Sequence, residues 1–335
     1  MQLTVTLVGE LNGVGMSDYA CRICGSTNLR QSYVAREMMF GTREEFRYEE
    51  CADCSSLQID EIPDAVTLSR HYPENYYSFS SAPQRMSIRE NLVRWLVLER
   101  DRASLGRWSV TGRMLKFMKP APSSVDILKS AGIRNGQQVL DVGCGAGALL
   151  DRLSKMGFDG LLGVDAFVDA DMITSSGVPI KKRRLSEVEG EFDLIMFHHS
   201  FEHVPSPRDE LQEVHRRLRP GGRCLIRIPT PSSEAWEKYG TDWVQLDAPR
   251  HLTLISRPGM TALAQQCGFS IAEEIDDSIG WSFMASELYR RDIPLREQSQ
   301  ETHFSPDEIS TYEKRATAAN AAGRGDQAAF ILVRS

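Results

Sequence analysis

Residues 139–150, VLDVGCGAGALL, constrain this chain more than any other stretch. An apolar run carries Asp141, glycines follow at 143, 145 and 147, and apolar residues then return at helical spacing. Glycine permits left-handed turns and a close approach of backbone to a ligand. The free N–H groups of the helix that follows point at whatever is bound there. Such a strand–loop–helix unit belongs at the carboxyl edge of an open parallel sheet, where ligands sit near the switch point.

The chain from residue 137 onward has the texture this loop requires. QQVLDVG, GLLGVD, FDLIMFHH and RCLIRIP read as buried strands. GALLDRLSKMG reads as a helix closed at Gly157, and SPRDELQEVHRRLRPGG as one opened by Ser206 and Pro207 and ended by Pro220 and the glycine pair. Strand–helix alternation with near-continuous apolar strands means a parallel sheet covered by helices on both faces. The last 25 residues read as a helix, a Gly-Asp turn and a terminal strand.

The loop alone does not name its ligand. Gly143, Gly145 and Ala148 also satisfy the loose dinucleotide fingerprint, so a nicotinamide-dependent oxidoreductase is the rival reading. Asp141 favours S-adenosylmethionine (SAM): a carboxylate there can meet the ammonium of the methionine moiety, whereas a pyrophosphate would be repelled. Asp165 ends the next strand, where a carboxylate accepts hydrogen bonds from ribose hydroxyls. It indicates a nucleoside without saying which.

A second feature stands ahead of this unit. Cys21 and Cys24 form one C-x-x-C, Cys51 and Cys54 another, and strand-like sequence lies between. Two knuckles on a loop of this order bring four sulfurs to one tetrahedral ion, the pattern of a structural zinc ribbon. A redox site needs only one such pair, opening a helix. Cys144, Cys224 and Cys267 are scattered and read as small packing residues.

The formal charge of −7 argues against binding by phosphate neutralisation, so no nucleic-acid partner is expected, and KKRR at 181–184 reads as a solvated edge. No stretch is long and apolar enough for a transmembrane helix, and the first twenty residues lack the features of a secretory signal. A reducing, cytoplasmic setting is expected for the thiols.

The whole resembles a class I SAM-dependent methyltransferase. VLDVGCGAG, the acid Asp165, FDLIMFHHSFEHVPSPRDELQEVHRRLRPGG and CLIRIPT carry the resemblance. With CRIC…CADC, YPENYYSF and WVQLDAPRHLTLIS, it is similar to bacterial methyltransferases with an N-terminal zinc ribbon, of the type that modifies sugars, polysaccharides or lipids. The resemblance implies an α/β fold with a Rossmann-like, seven-stranded, doubly wound sheet. The final strand would be an antiparallel edge insertion. It implies a flexible arm over 1–18, a zinc ribbon over 19–60, a connecting helical segment over 61–122, and the methyltransferase domain over 123–335 with a helical insertion at 291–324.

The same resemblance implies site residues. Asp141, Gly143, Cys144, Gly145, Gly147, Asp165, Ala166 and His198 would bind SAM, with Leu185 or Ser186 near the adenine. His199, His203 and His251 are the catalytic candidates; Asp247, Arg250 and Trp243 are the acceptor-binding ones. His199, Glu202 and His203 stand at i, i+3 and i+4, so a structural turn, a proton acceptor and a metal site are all open. Related quinone O-methyltransferases carry Glu-x-x-Glu-His at this place and use a divalent metal; His199 replaces the first Glu here. The acceptor expected is a hydroxyl on a sugar, glycolipid or related small metabolite. A catalytically inactive methyltransferase-fold binding protein is the third class.

Overall fold

The computed structural model describes residues 19–72, 87–296 and 302–335. The arm at 1–18 and most of YPENYYSF lie outside the described residues.

The chain starts with a small antiparallel sheet: β1 (Leu29–Arg36), β2 (Glu45–Cys51) and β3 (Leu57–Ile59). Each knuckle closes on a residue of positive φ, Gly25 at +82° and Ser55 at +59°. Each of these residues donates its N–H to the first cysteine of its own pair, at 2.9 Å. A fourth strand, β10 (Thr253–Leu254), comes from the far end of the sequence and pairs with β3. A boundary at residue 60 therefore cuts through a sheet. Tyr48, Leu57 and Ile59 share a buried cluster with Trp243, Leu246 and Leu252, so the ribbon has no separate core.

The main sheet runs β11–β12–β9–β8–β4–β5–β7–β6. Its parallel centre is β4 (Val139–Val142), β5 (Leu161–Val164), β7 (Pro179–Lys181), β8 (Phe192–His198) and β9 (Leu218–Pro229). Helix α5 (Ala148–Lys155) joins β4 to β5, and α6 (Pro207–Arg217) joins β8 to β9. The last strand, β12 (Gln327–Arg334), does not lie at the edge. It is inserted between β9 and β11 (Phe269–Asp276), antiparallel to both, which buries its AAFIL run completely. Two-residue β6 (Met172–Ile173) folds back on β7 and adds an eighth strand at the opposite rim. Helix α6 ends earlier than the RPGG run suggests: Leu218 already extends into β9, because Pro220 removes an N–H and biases Arg219 away from the helix.

The remaining helices fill both flanks. After the ribbon come α1 (Ala65–Arg70), α2 (Ile88–Ser104), α3 (Val110–Met118) and α4 (Ser123–Ser130). Ser87 caps α2 in a reciprocal box with Glu90, as its position before an apolar-periodic run implies. Past β9 lie α7 (Glu234–Tyr239), α8 (Arg257–Gln266), α9 (Gly280–Arg290) and α10 (Pro306–Ala321). No helix among the described residues is long and apolar enough to cross a membrane.

Candidate active site and cysteine knuckles

The glycine loop is built by close approach. Gly143, Gly145 and Gly147 all have positive φ, between +54° and +76°. A Cβ on Gly143 would sit 2.4 Å from that of Ser200, and one on Gly147 2.6 Å from Ile180 Cδ1. Side chains are thus excluded on both conformational and steric grounds. Asp165 braces the loop: its carboxylate accepts the Gly145 N–H at 2.9 Å and the Phe167 N–H at 2.8 Å.

Asp141 is 2% exposed, and its Oδ1 has no partner among the described residues. Burial, then the neighbouring Asp165, push its carboxyl up to about 8. A buried acid with an orphaned oxygen beside a cradle that excludes side chains fits a cationic ligand, as the ammonium end of SAM provides. A cavity of about 430 Å³ opens from this loop, lined in part by Gly143, Asp165, Ala166, Leu185 and Ser186. Arg183 and Arg184 also line it while remaining exposed, so half of the solvated KKRR run borders this cavity. Cys144 is half-buried and packs against the apolar cluster of Leu150, Leu194 and Ile331. His198 has its Nε2 shielded without a partner among the described residues, and burial, then Arg227, lower it to about 3, so its imidazole is neutral.

A second cavity of about 1050 Å³ adjoins the first. Leu68 and Tyr72 form one wall, and Phe167 to Met172 the other. Tyr72 and Phe167 lie with rings parallel, centroids 6.5 Å apart. The two cavities share Phe167 and His203.

The three candidate histidines differ in what their nitrogens do. His199 has φ +53°, and its Nε2 accepts from Arg227 and from Gln327. Its lone pair is occupied, which corrects the expectation of His199 as proton acceptor. His203 donates Nδ1–H to the carbonyl of Arg250 at 2.8 Å, because a carbonyl only accepts. Its lone pair therefore resides on Nε2. Burial lowers its basicity and outweighs Glu202, which raises it, so the ring is held neutral. His251 likewise donates Nδ1–H to Gln245 O at 2.7 Å and packs edge-on to His203 at 4.9 Å.

Glu202 sits beneath all three, 1% exposed. Burial would raise its pKa, but His199, His203 and His251 hold it down to about 2, so it stays a carboxylate. Ligand atoms of Glu202, His203 and His251 lie within 4.8 Å of one another, a group that could hold a cation.

Of the acceptor-binding candidates, burial corrects Trp243. Trp243 is fully buried and gives its indole N–H to Asp326 at 2.9 Å, leaving no surface for a ligand. Arg250 is 1% exposed and bonds Asp247 through two nitrogens, Glu37 Oε1 at 3.2 Å and His71 O at 3.3 Å. These charges tie the segment after Trp243 to the ribbon hairpin, and Arg250 also lines the larger cavity. Arg250→Met would leave Glu37 and Asp247 buried without a counter-charge. A loss of roughly 3–5 kcal/mol is expected in urea unfolding, with Glu37→Gln in the same background recovering part of it.

The four cysteines are free and close together. Cys21 and Cys54 sulfurs are 3.7 Å apart, Cys24 and Cys51 sulfurs 3.6 Å, and all four lie within 4.8 Å. A tetrahedral four-thiolate ion with bonds near 2.3 Å requires sulfurs about 3.8 Å apart. The donor set and its spacing fit such an ion, closed to further ligands.

The profile of a family described as "Methyltransferase domain" matches residues 114–274, just under half of the chain. Among curated proteins, a ubiquinone biosynthesis O-methyltransferase of Pseudomonas aeruginosa (strain UCBPP-PA14) is 27% identical over 129 residues, covering 34% of this chain and 55% of that protein. One of Bordetella avium is 31% identical over 159 residues, covering 42% and 66%. The chain spans about half the length of the first of these relatives. A crystal structure of a SAM-dependent methyltransferase from Mesorhizobium loti aligns at TM-score 0.40 and 17% identity, over 63% of this chain and 98% of that one. The family match falls on the glycine loop, Asp165 and the histidine turn, within a sheet of the expected parallel centre and antiparallel last strand; the chain carries a class I SAM-dependent methyltransferase domain.

Proposed function

We propose that this protein methylates a hydroxyl of a small molecule with SAM as donor, and that the hydroxyl belongs to a sugar, glycolipid or related metabolite. The observation that carries this is the meeting of two cavities at His203, one opening from the glycine loop and one large enough for an acceptor. The curated relatives bear the name of an O-methyltransferase, which supports oxygen as the atom attacked.

SAM supplies a methyl group on a sulfonium, whose sulfur keeps the bonding pair on transfer. Asp141 would hold the ammonium, Asp165 the ribose, and Leu185 or Ser186 the adenine edge. His203 Nε2 would take the acceptor's hydroxyl proton as the oxygen attacks. Glu202 would stabilise the resulting imidazolium without being protonated, since it is held at about 2. In this reading the four thiolates hold structural zinc.

Radiolabelled methyl transfer from SAM into fractionated cell extract tests the reading. Label appearing in an alkali-stable, small-molecule fraction is expected. Tight binding of NAD in place of SAM, with no transfer, would sink it.

The Asp141 assignment has its own pH signature. Below about pH 8 the empty site holds a proton on Asp141 that the ammonium must displace, so SAM affinity falls about tenfold per pH unit. Above the amine's own pKa, about 7.7–8.0, affinity falls again because the ligand loses its charge. Calorimetric titration should therefore show tightest binding near pH 8. Asp141→Asn should bind more weakly and lose the acid limb. A wild-type affinity independent of pH would refute the pairing.

A further inference from the structure

Helix α3 is turned inside out. At 100° per residue, Val110, Met114, Phe117 and Met118 form one stripe. That stripe faces solvent, with exposures of 58, 68, 94 and 83%. The opposite side is the packed one: a Cβ on Gly112 would lie 2.0 Å from the Glu99 carbonyl of α2, so the two helices touch backbone to backbone there. Trp108, at the turn between them, is 75% exposed. Leu92 and Trp95, on the α2 face that carries Glu99, are half-exposed as well. An exposed apolar stripe of this kind marks an interaction site.

Charge identifies the occupant. Residues 87–119 carry eight basic and three acidic side chains, in a chain of net charge −7. Of the acids, Asp101 is buried against Arg100 and Arg152, and Glu99 is engaged by Ser109 and Arg102. Arg89, Arg113, Lys116 and Lys119 are exposed and form no ion pair among the described residues. A second copy would bring like charges together. An apolar stripe with tryptophans beside it and cations on its flank is the composition of a helix that lies in a bilayer interface.

We propose that the α2–α3 hairpin docks the protein on an anionic lipid surface, with the α3 stripe inserted and its arginines and lysines on the headgroups. The chain would lie on the membrane without crossing it. The proposal stands independently of the methyl acceptor.

Co-sedimentation of the full chain with phosphatidylcholine vesicles, with and without phosphatidylglycerol, tests it. The wild type should partition onto the anionic vesicles at least about tenfold better than onto neutral ones, and salt should release it. Met114→Glu with Phe117→Glu should abolish partitioning, and Arg113→Glu with Lys116→Glu should abolish the preference for anionic lipid. All four positions are exposed, so circular dichroism should show folded variants. Equal binding to both vesicles, or no binding, overturns the proposal. A wild-type dimer in light scattering that Phe117→Glu converts to monomer overturns it too, because the stripe would then be covered by a second copy.

Discussion

His203→Ala is expected to lower the rate of methyl transfer by about 10²- to 10⁴-fold, the range for loss of a positioned general base. SAM affinity should stay near wild type, because His203 stands where the two cavities meet and not in the glycine loop. The effect arises from a fixed tautomer. The Arg250 carbonyl keeps the proton on Nδ1, and burial keeps the ring neutral, so Nε2 is available at neutral pH. His199→Ala should cost far less in the chemical step, since its Nε2 is already occupied by Arg227 and Gln327. Single-turnover rates separate the two. Equal losses for His199→Ala and His203→Ala would mean that the turn acts through its structure. Restoration of either variant by added divalent cation would instead favour the Glu202–His203–His251 group as a metal site.

Cys51→Ser is expected to have the largest effect on folding. Structural zinc sites contribute about 10–16 kcal/mol of apparent binding free energy in small peptides, and that energy is folding energy. The purified wild type should contain one zinc per chain, and the variant close to none. Because Cys51, Cys54 and Ile23 belong to the same buried cluster as Leu140 and Phe269, the loss should spread into the main sheet. Thermal unfolding should fall steeply for the variant, and chelation of the wild type should reproduce the fall. A metal-free wild type that melts normally would show that the thiols serve only as packing.

The parts of this molecule that were legible in sequence are those set by neighbours along the chain. The glycine loop, the Asp165 strand end, both knuckles and the Ser87 cap are each defined within a few residues, and local backbone chemistry determines them. What was not legible depends on partners far away. Arg250 is held by Glu37, 213 residues upstream, a partner that no local pattern announces. Trp243 looks like a stacking wall until Asp326 claims its N–H. His199 and His203 are indistinguishable by spacing; Arg227 on the adjacent strand is what separates them. In α3, too, periodicity alone fixes only that one face is apolar; which way that face points is set by the contact with α2 at Gly112.

The two residues of β10 carry a further consequence. They make the ribbon impossible to transplant. A chimera that exchanged residues 19–60 with those of a relative would bring three strands to a docking edge belonging to another protein, and Tyr48 would lose the carbonyl of His251 that it now bonds at 2.8 Å. The exchangeable unit is discontinuous: the ribbon together with residues 243–256. An exchange between such proteins should give a folded chimera only when both pieces move at once.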